Sequence, residues 1–407
     1  VQAMRNVIFA APFPLENTMR FIRAVAKLPN VRLLGIWQKP PTGDDARLFK
    51  DIAIVQDGLN THQLLAAAHK LVHHYGPVHR LLGILEPLQV QLAEVRQAMG
   101  IKGTPPRTAE LFREKSDMKD ELRRHGLPCA RHQLIRSLAD AEGFAQQVGF
   151  PLVLKPPAGM GCKATWRIQN FDDLRAAVAA MHASPEHPAL AEEFLRGREY
   201  SYETIVIGGQ IRFTSLSRYY PTPLEVMENP WIKWSVVLPR DIHTDEFAGV
   251  HELGAKTVHA LGLETGMTHM EWFRKDDGTL AIGEIAARPP GAQIVLANGF
   301  AHDIDMYHVW ARAVVDEAFD GPWERKYAVG TAFLRGIGRG RVVNVTGVEE
   351  VQRKVGHLVV KAQLPSRGEP RADSYEGEGY VVVRHPDTEV VKQAVKTIIE
   401  TIGVQYG

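Results

Sequence analysis

Apolar positions in the first hundred residues alternate between short continuous runs and helical spacing. Val7 to Ala10 and Val31 to Trp37 read as strands, with an amphipathic helix from Asn17 to Lys27 between them. Residues 61–75 repeat apolar positions at helical intervals. Leu81 to Leu85 is another apolar run, and residues 87–99 form a helix that Gly100 ends. This alternation predicts a small open parallel sheet with helices on its faces. Thr104-Pro105-Pro106 breaks the pattern and closes a first domain at residues 1–105.

The period then changes. A helix is expected from about Thr108 to His125, capped by Gly126. Residues 131–136, 151–155, 164–168 and 189–194 read as strands, with helices at 138–148 and 173–182 between them. This unit within residues 106–195 reads as a separate lobe able to close as a lid. From 196 to 407 strands dominate, with turns at Gly208-Gly209 and Asp277-Gly278 and a helix at 246–261. A tail at 325–407 alternates short strands and helices and ends in a helix near 388–402. The expected fold class is α/β combined with α+β: an open parallel sheet, a small lobe and a larger antiparallel sheet.

Composition narrows the function. With 48 basic and 47 acidic residues the net charge is +1, so no overall field favours nucleic acid or an anionic membrane. Cys129 and Cys162 have no histidine or cysteine at zinc spacing, which implies neither a metal knuckle nor a disulfide framework. The apolar run at the start is too short for a leader, and no run is long enough to span a bilayer. A cytoplasmic protein is expected.

Three segments carry chemistry. Lys155 ends the apolar strand Leu152-Val153-Leu154 and opens the turn Pro156 to Lys163, which contains Gly159 and Gly161. An ammonium beside glycines that expose backbone N–H groups suits a polyphosphate. Neither G-x-x-x-x-G-K-[ST] nor G-x-G-x-x-G occurs, which disfavours a P-loop or dinucleotide protein. The connector Glu192-Glu193-Phe194-Leu195-Arg196-Gly197-Arg198-Glu199 offers acids and backbone to a nucleoside, or is a solvated charged loop. The strongest segment is a hairpin about Asp277-Gly278, with Glu271 on one arm and Glu284 on the other, both among apolar neighbours. Two carboxylates on neighbouring strands form a hard-oxygen site suited to Mg²⁺. Arg288, four residues on, is placed to hold an oxyanion or a carboxylate. Lys115, on the helix before the lobe, is within reach of a phosphate or is simply solvated.

The order of these elements resembles the ATP-grasp superfamily over roughly residues 80–300. It runs Lys115 with Met118, Gly126-Leu127-Pro128, Lys155 with its glycine turn, the Glu192 to Glu199 connector, Glu271, then Glu284-x-x-x-Arg288-x-x-Gly291. Within that superfamily the chain looks most like carboxylate-amine ligases that make dipeptides and related amides, with biotin-carboxylase-like architecture. The resemblance implies ATP with Mg²⁺ (or Mn²⁺ in its place), small-molecule carboxylate and amine substrates such as amino acids, no nucleic acid or membrane partner, and room for a homodimer. It implies that Lys115 and Lys155 contact phosphates and that the turn with Gly159, Gly161 and Lys163 closes over them. Glu192, Glu193 and Leu195 would border adenine, the last two through backbone atoms, and Glu199 would take the ribose. Glu271 and Glu284 would ligate the metal, and Arg288 would stabilise the acyl phosphate or grip the substrate. Many relatives carry asparagine two residues after the second metal glutamate, where this chain has Ala286. A bicarbonate-activating enzyme and a nucleotide-binding module without ligase activity are the alternatives. The aromatic segment from Tyr219 to Trp234 is a candidate substrate loop, Arg335 a candidate carboxylate grip, and His269 a structural hydrogen-bonder.

Overall fold

The structure is a computed structural model and describes residues 3–159, 164–229, 232–374 and 376–407. The chain opens with β1 (Arg5–Ala11), α1 (Glu16–Ala26), β2 (Val31–Trp37), the one-turn α2 (Gly43–Ala46), β3 (Asp51–Ile54), α3 (Thr61–Tyr75), β4 (Val78–Leu82) and α4 (Gln89–Met99). The strands form a parallel sheet of order β3-β2-β1-β4. β1 is central because both its faces are apolar. Val7, Phe9 and Ala11 pack with Phe21 and Ile22 of α1. Ile8 and Ala10 pack in the opposite layer with Leu64, Ala68 and Leu71 of α3 and Leu92 of α4. The short edge strand β3 has a single buried residue, Ala53, and no counterpart among the expected strands.

The helix expected over residues 108–125 is two helices, α5 (Pro106–Arg113) and α6 (Lys115–Arg124). They are separated by Glu114, whose backbone is extended (φ −87°, ψ 105°). The break frees the Lys115 N–H, which donates to Pro157 O at 2.9 Å. A tertiary hydrogen bond here outweighs the helix preference of the local sequence. The lobe follows as expected: β5 (His132–Ile135), α7 (Leu138–Val148), β6 (Leu152–Lys155), β7 (Trp166–Ile168), α8 (Phe171–Ala180) and β8 (Ala189–Glu193). Its antiparallel sheet has the order β5-β8-β6-β7, and Ser137 and Asn170 cap its helices.

The rest builds an eight-stranded antiparallel sheet of order β13-β12-β9-β10-β11-β14-β17-β16. In chain order it comprises β9 (Gly197–Ile207), β10 (Gln210–Tyr220), α9 (Pro223–Glu228), β11 (Trp234–Leu238), α10 (Val250–Leu261), β12 (Gly266–Lys275), β13 (Leu280–Ala286), α11 (Ile294–His302), α12 (Met306–Ala311) and β14 (Ala328–Leu334). The tail adds β15 (Val342–Thr346), α13 (Val348–Val355), β16 (Val359–Gln363), β17 (Gly379–His385), α14 (Thr388–Thr401) and β18 (Gly403–Tyr406). β14, β16 and β17 complete the large sheet, and the chain continues past α14 into β18, which pairs with β15. No described helix is long and apolar enough to cross a membrane.

Side-chain alternation divides the two faces of β9 and β12. Tyr200, Tyr202, Met270 and Trp272 enter a core with α6 and α10, where Tyr200 stacks on Trp272 at 4.4 Å between ring centroids. The opposite face carries Glu199, Ser201, Glu203, His269 and Glu271. Gly254 of α10 lies against the Tyr202 ring, and a Cβ there would stand 2.2 Å from a ring carbon. Gly254→Val should therefore destabilise the protein by about 1–3 kcal/mol. Gly143→Ala, in open space within α7, should stabilise it by about 0.5–1 kcal/mol. Urea unfolding of both variants checks the pair.

Candidate active site

A cleft of about 710 Å³ lies between the lobe and the large sheet. Lys155 at the end of β6, Glu192 on β8, Glu199 on β9, Glu271 on β12 and Glu284 on β13 all line it. The hairpin register makes Glu271 and Glu284 direct cross-strand partners, so both carboxylates leave the sheet on the same face.

Lysines and glutamates alternate through the floor of the cleft. Lys119 Nζ stands 3.2 Å from Glu192 Oε1, and Lys155 Nζ stands 2.9 Å from Glu192 Oε2. Lys155 Nζ is also 4.0 Å from Glu284 Oε2, which Lys115 Nζ approaches to 3.1 Å. Lys119 is fully buried and donates to Gly283 O as well. Buried charge is tolerated only when paired in this way.

The protonation equilibria follow from that arrangement. Burial alone would raise the Glu284 carboxyl, but Lys115, Lys155 and Lys119 outweigh it and bring the pKa down to about 2. Burial likewise opposes ionisation of Glu192, and the charges of Lys119 and Lys155 overcome it, so this carboxyl is lowered too. Glu271 goes the other way: burial, then the charge of Glu284, raises it. Glu199 is raised well above the usual carboxylate range by burial and by Glu271 and Glu284. The lysines thus neutralise one side of the acidic cluster and leave Glu271 and Glu199 short of positive charge. That deficit, among hard oxygen donors, fits a divalent cation.

The remaining candidates are placed as follows. Lys115 Nζ donates to Gly159 O at 3.2 Å, which joins α6 to the turn after β6. Gly161, Cys162 and Lys163 lie outside the described residues. The Glu193 side chain is held by Arg131, through the backbone N–H at 2.8 Å and Nε at 3.1 Å, so Glu193 and Leu195 face the cleft beside the connector backbone. The side chain of Glu192 is committed to its two lysines. Arg288 Nε donates to Glu86 Oε2 at 2.6 Å, and neither Glu271 nor Glu284 pairs with it. Tyr219 and Trp234 line the cleft with Leu224 and Met227, whereas Trp231 lies outside the described residues. Arg335 is not a carboxylate grip: it is buried, and its guanidinium donates to Val226 O and Ile232 O. His269 Nδ1 donates to Glu203 Oε1 at 2.7 Å.

Three contributors escaped the sequence reading. Glu86 follows β4, at the carboxyl end of a parallel strand where ligand sites gather, and that position was its available signal. Lys119 shares a helix face with Lys115 at a spacing of four, a like-charge pair that calls for partners. Glu203 gave no signal, since only strand pairing brings it to His269.

A lobe closing a lysine- and glutamate-lined cleft over a large antiparallel sheet, behind a parallel-sheet domain, is the ATP-grasp fold. Residues 120–292 match the ATP-grasp domain family, and the chain carries an ATP-grasp domain. It is 27% identical over 224 residues to an L-arginine-specific L-amino acid ligase of Bacillus subtilis. That match covers 54% of this chain and 53% of the ligase, about half its length. The fold is similar to that of an L-amino acid ligase from Bacillus licheniformis, with a TM-score of 0.82 and 18% identity over 100% of both chains. It is also similar to N5-carboxyaminoimidazole ribonucleotide synthetase from Thermotoga maritima, with a TM-score of 0.74 and 18% identity over 99% of this chain and 100% of that one.

Removing Lys119 would leave Glu192 with one partner in a buried site. Lys119→Ala should cost about 3–5 kcal/mol. Lys256→Ala, which removes an exposed pair with Glu252 on α10, should leave stability almost unchanged. Denaturant titration of the two variants makes the comparison.

Proposed function

We propose that the protein is an ADP-forming ligase that activates a carboxylate as an acyl phosphate and couples it to an amine, with an amino acid as the acid. One observation carries this reading: Glu271 and Glu284 share a face of the sheet opposite Lys115 and Lys155. Cations and acids so arranged suit the triphosphate end of a nucleotide. The likeness to L-amino acid ligases supports an amino acid over other acids.

Lys115 and Lys155 would neutralise the phosphates, with Gly159 at the turn above them. Glu199 would accept from the ribose hydroxyls, and the backbone of Glu193 to Leu195 would border the base. Glu271 and Glu284 would hold Mg²⁺, which supplies charge neutralisation and in-line alignment for phosphoryl transfer. A free carboxylate resists attack because its leaving group would be oxide. Phosphorylation replaces that with phosphate. Lobe closure would exclude water from the acyl phosphate until the amine arrives. Arg288, steadied by Glu86, would then stabilise the tetrahedral oxyanion. Tyr219, Leu224 and Met227 would supply an apolar wall for a substrate side chain, with the buried Trp234 packed behind Tyr219.

The test is release of ADP and phosphate across a panel of amino acids, with and without a second amine. Amine-dependent product with ADP is the expected result. AMP as product rejects the acyl-phosphate route, and bicarbonate-stimulated ATP hydrolysis favours a carboxylase-type reaction. Glu284→Ala should abolish turnover with the fold kept, as checked by circular dichroism. Arg288→Ala should lower kcat by about 10²–10³-fold while calorimetry finds ADP binding unchanged.

A further inference from the structure

We infer that Glu376 is a positioning residue for the acid substrate: it seats the turn at Ala292 and Gln293 and, with it, Ser374 as a wall that selects the substrate side chain. The inference rests on the reading of the cleft as the place where a carboxylate is activated. Gly291, Ala292, Ile294 and Ser374 all line that cleft. The turn comes directly after Arg288-Pro289-Pro290. Ala292 and Ile294 pack with Tyr219, Val226 and Trp234, on the side where the apolar wall stands. They therefore belong to the substrate end of the cleft.

This turn needs holding. Ala292 and Gln293 both have left-handed backbones, with φ of 53° and 55°. Residues other than glycine seldom adopt that conformation, and two in succession persist only where neighbours hold them. Glu376 is such a neighbour. Its Oε1 accepts from the Ala292 N–H at 2.7 Å, and its Oε2 accepts from Gln293 Nε2 at 3.3 Å. Gln293 Oε1 in turn accepts from Arg20 Nη1 of α1 at 2.6 Å, and Arg20 Nη2 donates to the Tyr380 hydroxyl of β17 at 2.8 Å. The parallel-sheet domain, the large sheet and the tail segment that carries Glu376 thus meet at one turn. Ser374 lies two residues before Glu376, so the bonds that fix the turn also fix where Ser374 enters the cleft. Glu378 anchors the same segment by accepting from the Ala372 N–H at 2.9 Å. Burial, the largest influence on Glu376, raises its carboxyl against the pull of Gln293, Ala292 and Arg20. Neither of its bonds requires a full charge, since an amide oxygen accepts as well. Ser374 is small, and a longer side chain there would take space from the substrate.

The test is steady-state ADP release by the full chain, with ATP and the amino acid of the panel that stimulates release most. Glu376→Ala should lower kcat/KM for that amino acid by about 10²-fold, mainly through KM, and leave KM for ATP unchanged. Glu376→Gln should recover most of the loss. Ser374→Leu should change the order of preference among the amino acids, bulky ones losing most, again with KM for ATP unchanged. Where circular dichroism finds Glu376→Ala unfolded, Ser374→Leu decides. Wild-type constants in Glu376→Ala, an equal rise of both KM values, or a Glu376→Gln as impaired as Glu376→Ala overturns the positioning role and leaves the ligase reading standing. An unchanged order of preference in Ser374→Leu overturns the selecting wall. Wild-type ADP release that no amino acid stimulates overturns the reading beneath, and this assignment with it.

Discussion

The site depends on one constraint: charges taken out of water must alternate in sign. Lys119, Glu192, Lys155, Glu284 and Lys115 form a single series in which each group answers its neighbour. Removing any member leaves a charge that the interior solvates poorly. The series also crosses three parts of the chain, from α6 through the lobe strands β6 and β8 to β13 of the large sheet. It therefore fixes where the lobe meets the sheet, and that meeting line is the cleft. The same interaction that holds the parts together presents ammonium groups to a phosphate chain.

The large sheet supplies the complementary half. One face of β9 and β12 is aromatic and apolar and packs on α6 and α10. The opposite face is apolar only toward one end, where Ile205, Ile207 and Met267 join the core beneath the parallel sheet. At the other end the same face turns acidic, with Glu199, Glu203 and Glu271. Alternation along two strands thus secures the sheet on both sides and still leaves a polar floor. Glu86 and Arg288 tie the parallel-sheet domain to this floor, which places an arginine at the mouth of the site and leaves Glu271 and Glu284 uncommitted to it.

Much of this was legible in the sequence, for local reasons. The strand and helix order of the parallel sheet and the lobe follows periodicity and caps, and Asp277-Gly278 lies midway between Glu271 and Glu284, so the hairpin alone implies their pairing. What was not legible depends on distant contacts. The break at Glu114 comes from the Lys115 bond to Pro157, which no helix propensity contains. Glu86 and Arg288 lie 202 positions apart, and Glu203 and His269 lie 66 apart. Lys119 reads as an ordinary surface lysine until its burial is known. Arg335 looked available for a substrate and is consumed by two backbone carbonyls.

Acyl phosphate formation in the cleft is tested most directly by following carboxylate oxygen. An amino acid substrate labelled with ¹⁸O in its carboxylate should deliver one ¹⁸O atom to the inorganic phosphate released on coupling to the amine. Release of unlabelled phosphate, or appearance of the label in AMP, is incompatible with that chemistry.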